Sequence, residues 1–237
     1  MKTILITGGT EGLGRELVKK LSRKDVKIIV VARRNDLPKS FANDKIRFYP
    51  VDISSREEIE TLAKKLESQQ IDILINNAGV WTDYDIEQLR PEQRESAIKT
   101  NLIGTINMTE NFLPNMRKSA CAQIVFVISS SGYLGIGGDT SSDWPSYNAS
   151  KWGERGYVFA LRNNQDNAKV KIGAIYPGGF NGNVFANAGW KDEDSHNQSW
   201  MMSTETVANA VLFMLNQPED ANIDELIITK HFRKGKK

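Results

Sequence analysis

Two residues four positions apart, Tyr147 and Lys151, have side chains that can transfer a proton. Residues at this spacing on a helix share one face. A tyrosine hydroxyl has a pKa of about 10 in model peptides, and a neighbouring ammonium stabilises the phenolate and lowers that pKa. The pair could therefore give a proton to a substrate oxygen or take one from it. The same spacing also occurs in ordinary surface pairs on helices, so its meaning depends on what accompanies it.

A glycine-rich turn, with glycines at positions 8, 9, 12 and 14, follows the first apolar segment of the chain. Glycines let a backbone approach a pyrophosphate closely, and a helix that begins there supplies N–H groups. The spacing Gly-x3-Gly-x-Gly differs from the commoner dinucleotide fingerprint, Gly-x-Gly-x2-Gly. The strand–turn–helix context favours dinucleotide binding over a turn that only connects packed elements.

The elements that must position these residues alternate along the chain. Apolar runs predict strands at 2–7, 26–32, 47–51, 72–75, 123–128, 170–175 and 225–229. Helical periodicity predicts helices after the glycine turn and at 54–68, 91–116, 147–163 and 204–215. This alternation predicts an α/β fold, a Rossmann-type doubly wound parallel β-sheet with helices on both faces, in a single domain over residues 1–237.

Composition excludes several other classes of protein. The chain has 237 residues, 40% of them hydrophobic and 25% charged, with a net charge of +2. This balance argues against a nucleic-acid binder, which would need a strong basic surplus. No segment reads as a membrane span or targeting signal, and Cys121 is the only cysteine, so a cytoplasmic location is expected. One histidine, His196, stands among acidic residues at 192–194 without the spacing of a metal site, so no metal is predicted.

With a third motif, Asn76-Asn77-Ala78-Gly79 at a strand end, the chain resembles the short-chain dehydrogenase/reductase family from Thr3 to Thr229. The Thr-Gly-x3-Gly-x-Gly turn, the Asn-Asn-Ala-Gly segment and Tyr-x3-Lys occur in the family's order. The resemblance implies an oxidoreductase that moves a hydride between a nicotinamide cofactor and a small carbonyl or alcohol substrate, with Tyr147 as general acid or base.

The resemblance also implies a catalytic set of Asn101, Ser129, Tyr147 and Lys151. Asn101 would hold a proton-relay water near the lysine, and Ser129 would orient the substrate oxygen beside the tyrosine. The family pattern Ser-x-x-Gly selects Ser129, with Ser130 as the second choice. Lys151 would bind the nicotinamide ribose and lower the pKa of Tyr147.

A larger set of residues would bind the cofactor. By the same resemblance they are Gly8, Thr10, Glu11, Gly12, Leu13, Gly14, Arg33, Arg34, Asp52, Ile53, Asn77, Ala78, Gly79, Tyr147, Lys151, Pro177 and Gly178. Asp52 would contact adenine, and its alternative role is capping of the next helix. Gly182 stands where the family usually has a threonine that binds the nicotinamide carboxamide, so Asn181, Asn183 or backbone would replace it.

The end of the second strand decides which cofactor is expected. An acidic residue there would bind the adenosine ribose hydroxyls of NAD. Arg33 and Arg34 instead offer guanidinium groups that suit a 2′-phosphate, so NADP(H) is favoured and NAD(H) remains the alternative. Glu11 argues the other way, because NADP-preferring relatives often carry a basic residue in the glycine turn.

The substrate region is expected at about residues 178–203. Apolar residues in segments that surround the pocket in this family suggest an apolar substrate, although such residues also serve as ordinary core: Trp81, Tyr133, Leu134, Trp144, Phe180, Val184, Phe185, Trp190, Trp200 and Met201. The family resemblance also implies a homodimer or homotetramer, assembled through helices 91–116 and 147–163. A catalytically silent NADP(H)-binding regulator or scaffold is the alternative function, and a sugar epimerase or dehydratase is a third.

Overall fold

A seven-stranded parallel sheet forms the centre of the molecule, in the strand order β3-β2-β1-β4-β5-β6-β7. The computed structural model describes residues 1–34, 37, 39–41, 43–81, 91–133, 145–183, 187 and 198–231. The strands are β1 (Lys2–Thr7), β2 (Val26–Ala32), β3 (Ile46–Pro50), β4 (Ile73–Asn76), β5 (Gln123–Val127), β6 (Lys171–Pro177) and β7 (Glu225–Ile228). The α/β doubly wound fold predicted from the sequence is confirmed.

Helices cover both faces of this sheet. They are α1 (Gly12–Leu21), α2 (Arg56–Lys65), α3 (Pro91–Ala97), α4 (Thr105–Met116), α5 (Pro145–Asn163) and α6 (Thr204–Leu215). A π-helical turn, Ile98–Gly104, joins α3 to α4. Within the described part of the chain, none of these helices is both long and apolar enough to cross a lipid bilayer.

The strands are apolar throughout because each face of the sheet is covered. In β1, Leu5 faces one core, which it shares with residues of α2, α4 and α5. Its neighbours Ile4 and Ile6 face a second core, which includes residues of α1 and α6. All three side chains are buried. The sheet is therefore a rigid frame, and polar residues that follow its strands are held at one edge.

The strand order places a crevice at that edge. The chain runs from β1 outward to β2 and β3 and then crosses to the other side of β1, where β4 pairs with it. At such a switch point, the connections on either side run along opposite faces of the sheet and leave a crevice between them. Doubly wound sheets bind ligands in this crevice. The glycine turn after β1 and the Asn77–Gly79 segment after β4 both lie at this point.

One predicted element differs in detail from the structure. The periodicity predicts a single helix over 91–116, whereas the structure has α3, the π-helical turn and α4 over those residues. Gly104 lies in this turn and packs closely on Ile53, because a Cβ at position 104 would be 2.5 Å from the backbone oxygen of Ile53. The turn also buries the Asn101 side chain completely. An extra residue in the turn brings both positions inward, which a 3.6-residue period does not describe.

Candidate active site

The glycine turn brings the backbone after β1 against the segment after β4. Gly8 and Gly12 have φ angles of +66° and +51°, which side-chain-bearing residues rarely adopt. A Cβ on Gly14 would lie 2.1 Å from the backbone oxygen of Gly8, so the first turn of α1 packs directly on the turn before it. Glu11, at the N-cap of α1, makes no side-chain capping bond to the helix. The Glu11 side chain therefore leaves the backbone N–H groups at the N-terminal end of α1 uncapped where the helix meets the cleft.

Hydrogen bonds tie the two strand ends at the switch point together. The Thr7 hydroxyl accepts from the backbone N–H groups of Asn77 and Ala78, both at 3.0 Å. The Asn77 amide in turn donates to the backbone oxygen of Thr7 at 2.9 Å. These bonds explain why a threonine precedes the first glycine and why an asparagine follows β4. These hydrogen bonds hold the glycine turn at a fixed distance from the segment after β4, at the crevice.

Asp52, at the end of β3, organises the turn into α2. Its Oδ1 accepts from the backbone N–H of Ser54 at 2.9 Å and from the Ser54 hydroxyl at 2.8 Å. The residue that caps α2 is Ser55, whose side chain accepts from the backbone N–H of Glu58. The capping role considered for Asp52 thus belongs to Ser55, and Asp52 lines the cleft.

The residues expected to select the cofactor meet at one end of the cleft. Arg34 lies with its Nη2 3.4 Å from the Glu11 carboxylate, and 60% of its side chain is exposed. Glu11 also accepts from the side-chain amides of Asn183, at 3.1 Å, and Asn187, at 2.7 Å. Glu11 therefore links the end of β2 to the segment after β6, across the mouth of the cleft.

Tyr147 lies at the other end of the cleft, on the first turns of α5. Its side chain is 8% exposed, and the Ser129 side chain is near enough to affect the pKa of its hydroxyl. Its ring lies against Trp81, with ring centroids 4.3 Å apart. Burial raises the pKa of the Tyr147 hydroxyl; the Lys151 ammonium and the Ser129 side chain act in the opposite direction but leave the pKa above its ordinary value.

Lys151 is one turn further along α5 and is 3% exposed. Its Nζ lies 5.8 Å from the centre of the Tyr147 ring and 2.8 Å from Oε1 of Glu154. Burial disfavours the ammonium, but the charges of Glu154 and Tyr147 outweigh burial, so the pKa of Lys151 is raised. The sequence reasoning missed Glu154. The spacing in the sequence could have indicated it, because a residue three positions after Lys151 lies on the same helix face.

Asn101 is fully buried in the π-helical turn and connects three segments. Its Oδ1 accepts from the backbone N–H of Val80 at 2.8 Å, and its Nδ2 donates to the Val80 oxygen at 2.9 Å. The same Nδ2 donates to the Ser150 hydroxyl, which donates to the backbone oxygen of Tyr147. Asn101 thus fixes the segment after β4 against the start of α5.

Ser129 and Ser130 differ in what they contact. The Ser129 side chain is near enough to Tyr147 to affect the pKa of its hydroxyl, and it accepts from the backbone N–H of Ser131 at 3.1 Å. Ser130 begins a short 3-10 turn, Ser130–Gly132, and its backbone oxygen accepts from Tyr133. The geometry therefore favours Ser129 as the serine beside the tyrosine.

Most of the expected cofactor residues line one continuous cleft along the carboxyl edge of the sheet. They are Gly8, Thr10, Glu11, Gly12, Leu13, Arg33, Arg34, Asp52, Ile53, Asn77, Ala78, Gly79, Tyr147 and Lys151. Gly14, Pro177 and Gly178 are not among the lining residues; Gly14 packs on Gly8, and Gly178 donates to the Ile228 oxygen at 2.8 Å. Gly182, with Asn183, does line the cleft.

The expected substrate residues are only partly described. Trp81 and Phe180 lie by the cleft, the former against Tyr147 and the latter in its wall. Tyr133 packs instead on Tyr176 and under the Arg155 guanidinium, and Trp200 lies beside Gly179. Met201 is buried. Leu134, Trp144, Val184, Phe185, Trp190 and the acidic cluster with His196 lie outside the described residues. Where the chain is described, no group of three or more His, Cys, Asp or Glu residues could hold a metal ion.

Comparison with known proteins identifies relatives along the whole chain. The family model of short chain dehydrogenases matches residues 2–193. An uncharacterized oxidoreductase of Staphylococcus aureus strain MRSA252 is 24% identical over 233 residues, which is 96% of each chain. A 3-oxoacyl-acyl-carrier-protein reductase of Buchnera aphidicola subsp. Schizaphis graminum is 29% identical over 225 residues, covering 91% of this chain and 90% of that one.

Solved structures share the same fold. An alcohol dehydrogenase from the archaeon Thermococcus sibiricus, complexed with 5-hydroxy-NADP, superposes with a TM-score of 0.83 at 22% identity and full coverage of both chains. The closed form of a serine dehydrogenase complexed with NADP+ gives a TM-score of 0.83 at 25% identity, covering 99% of this chain and 98% of that one.

Proposed function

Because the chain belongs to the short-chain dehydrogenase family, a family of oxidoreductases, we propose that it transfers a hydride between NADP(H) and a carbonyl or alcohol substrate. One observation carries the proposal. A buried tyrosine, with Ser129 and a buried lysine near its hydroxyl, lies at one end of the same cleft that has two arginines at its other end. An extended dinucleotide would span that cleft.

The residues present fit such a cofactor. Gly8 and Gly12 have backbone conformations that keep side chains out of the turn over which a pyrophosphate would lie. A side chain on Gly79 would begin 3.4 Å from Asn101 Oδ1 and 3.7 Å from Lys151 Nζ, so the glycine keeps the cleft open beside the lysine. A nicotinamide, when bound, supplies the hydride chemistry. Lys151 would hold its ribose hydroxyls and Gly79 would leave room for them.

Tyr147 is the proposed proton donor and acceptor. Its hydroxyl would donate to the carbonyl oxygen of the substrate during reduction and accept the alcohol proton during oxidation. Ser129, whose side chain lies near that hydroxyl, would hold the substrate oxygen in place. Asn101 would act through the positions of Val80 and Ser150, which it binds, and not on the substrate itself.

NADP(H) is the proposed cofactor, supported by charge at the adenosine end. Arg33 and Arg34 line the cleft there, and β2 itself has no acidic residue. Guanidinium groups bind phosphates through charge-assisted hydrogen bonds. The serine dehydrogenase with the same fold was solved with NADP+, which agrees with this choice. An apolar substrate is the proposed class, because Trp81 and Phe180 lie by the cleft.

The test is turnover of a panel of carbonyl compounds with NADPH, followed by loss of nicotinamide absorbance. The Tyr147→Phe variant should lose about 10²–10⁴-fold in turnover while it still binds NADPH, because only the proton-transfer group is removed. Tyr49→Phe is the matched control, since Tyr49 also lies near a lysine, Lys65, but lies on β3 away from Tyr147. Full activity of Tyr147→Phe on a proven substrate would refute the mechanism. NADPH binding with no turnover of any compound would favour the catalytically silent regulator.

A further inference from the structure

Glu154 is a buried carboxyl beside the catalytic pair that the proposed reaction does not use. It lies three residues after Lys151 on α5, is 3% exposed, and its Oε1 is 2.8 Å from Lys151 Nζ. Removing two charges from water costs free energy that their attraction only partly returns. A buried ion pair is thus weak evidence for added stability. Its partner Lys151, whose Nζ is 5.8 Å from the centre of the Tyr147 ring, connects it to the site.

The charges around this pair come from few groups. Lys151 is the charged residue that acts on Glu154, and Lys151 and Glu154 are the charged residues that act on Tyr147. Arg155, the next residue on α5, lies over the Tyr133 ring and pairs with Glu225 on β7.

The side chains that neighbouring elements present to Tyr147, Lys151 and Glu154 are uncharged. The π-helical turn contributes Asn101, the segment after β5 contributes Ser129, and the segment after β4 contributes Trp81. Lys99 of the π-helical turn is exposed and pairs with Glu95. Among the described residues, Tyr147, Lys151 and Glu154 therefore titrate as one coupled group.

The two charged neighbours act on Tyr147 with opposite signs. The Lys151 ammonium lowers the pKa of the tyrosine hydroxyl, and the Glu154 carboxylate raises it. Burial raises the pKa of Glu154 to about 7, with Lys151 acting against it. Once Glu154 has ionised, the lysine and glutamate carry no net charge together, and the ammonium no longer favours the phenolate as strongly as it would alone.

We propose that Glu154 is a positioning residue that offsets the Lys151 ammonium and so favours the protonated form of the Tyr147 hydroxyl, which adapts the site to carbonyl reduction. The inference rests on the proposed function and deepens it by assigning a direction. In that direction the carbonyl carbon gains a hydride from the reduced nicotinamide, and its oxygen gains the Tyr147 proton. The products are an alcohol, the oxidised nicotinamide and a tyrosinate, which regains a proton from solvent.

The test measures Tyr147 ionisation in the protein without nucleotide or substrate. Tyrosinate absorbance is titrated in the wild type and in Tyr147→Phe, and their difference isolates Tyr147. The same difference is taken for Glu154→Gln with and without Tyr147→Phe. Removing the carboxylate should lower the midpoint by about one pH unit, a tenfold change in proton affinity. A structural role alone would leave the midpoint where it is.

Three further variants make the result decisive. Glu154→Met, neutral and of similar volume, should give the same downward shift and serves if the glutamine variant fails to fold. Glu154→Asp retains the charge and should restore the wild-type midpoint. Glu95→Gln removes the acid of an exposed helical Lys–Glu pair and should change nothing. An unchanged or raised midpoint in a folded neutral variant overturns the proposal.

A kinetic measurement separates this inference from the proposed function. With a substrate in hand, Glu154→Gln should move the rising limb of alcohol oxidation to lower pH by the same shift and reduce the ratio of reduction to oxidation at pH 7. The absorbance titration needs no turnover. Absence of any oxidoreductase activity would therefore refute the proposed function. The effect of Glu154 on Tyr147 ionisation would still be decided by the absorbance titration alone.

Discussion

Glu11 is an acid in the place where a cofactor phosphate would need positive charge. Its carboxylate lies 3.4 Å from Arg34 Nη2 and accepts from Asn183 and Asn187. An exposed ion pair of this kind contributes little to stability, about 1 kcal/mol at most. Its importance would lie in binding, because a 2′-phosphate and Glu11 compete for the same guanidinium.

Opposite changes in NADPH affinity are expected when the two members of this pair are altered. Arg34→Ala should weaken NADPH binding about tenfold and NADH binding much less, because the lost contact is to the phosphate. Glu11→Gln should strengthen NADPH binding about two- to fivefold by removing the competing charge. Fluorescence titration of both nucleotides measures each change.

The control for this experiment is Glu16→Gln. Glu16 is also on α1 and pairs with Lys19 and Lys20, away from the arginines. It should leave both affinities unchanged. Equal effects of Arg34→Ala on NADPH and NADH would remove the argument for a phosphate contact, and Arg33→Ala would then be the next variant to measure.

Individual site residues were predictable where a local pattern carries them. Tyr147 and Lys151 are four residues apart on one helix, and the four glycines lie within seven residues of one another. The partners of Glu11 could not be predicted, because Asn183 lies 172 residues away and nothing local in the sequence links them. Glu154 shares the helix face of Lys151, yet its burial depends on the layers packed over α5, which periodicity does not describe.

The turn between β1 and α1 is the element on which the proposed cofactor binding would most depend. Gly14→Ala would place a Cβ 2.1 Å from the Gly8 oxygen and 2.7 Å from the Asn77 amide nitrogen. The helix would have to move away from the turn, so we expect a loss of about 3 kcal/mol in unfolding free energy and weaker NADPH binding. Urea unfolding and nucleotide titration measure the two effects.

A second glycine provides the comparison. Gly156 lies inside α5, and a Cβ there would meet no atom within 4 Å. Gly156→Ala should therefore stabilise the protein by about 0.5–1 kcal/mol, because alanine loses less conformational freedom in a helix. If Gly14→Ala proved as harmless as Gly156→Ala, the close approach of α1 to the turn would be wrong.

The elements themselves were predicted to within a few residues, because each strand is a short apolar run between turns. The π-helical turn Ile98–Gly104 was the exception. A π turn shows no distinctive residue pattern; it forms here because Gly104 packs on Ile53 and Asn101 turns inward to Val80. Both causes are tertiary contacts, so the residue pattern of this segment alone does not predict the π turn.

Folding stability should respond to pH through Glu154. Its pKa is about 7 in the folded protein and 4.5 in an unfolded chain. Between those values the folded state holds a proton that the unfolded state has released, so stability falls as pH rises from 4.5 to 7. The wild type should therefore lose stability relative to Glu154→Gln between pH 5 and pH 7 in urea unfolding. A difference that is the same at both pH values would contradict the raised pKa.

Assembly is expected through the outer face of the π-helical turn and α5. Ile103, Trp152 and Phe159 are exposed there by 44%, 40% and 66%, which is unusual for large apolar side chains on neighbouring helical elements. Phe159→Glu should shift the protein to a smaller species in light scattering, because the charge would be buried against a second copy. Phe213→Glu, at an exposed aromatic residue on α6, should not. A monomeric wild type would refute the assembly.

The bonds from Glu11 to Arg34, Asn183 and Asn187 also bear on how such a protein can evolve. Most residues of the proposed cofactor site lie in the first third of the chain, and the segment that follows β6 belongs to the last third. Mutations in two such distant parts could accumulate separately if nothing joined them. Since one carboxylate touches both, a lineage that changes its preferred nucleotide also disturbs the mouth of the substrate cleft, and the two preferences must be selected together.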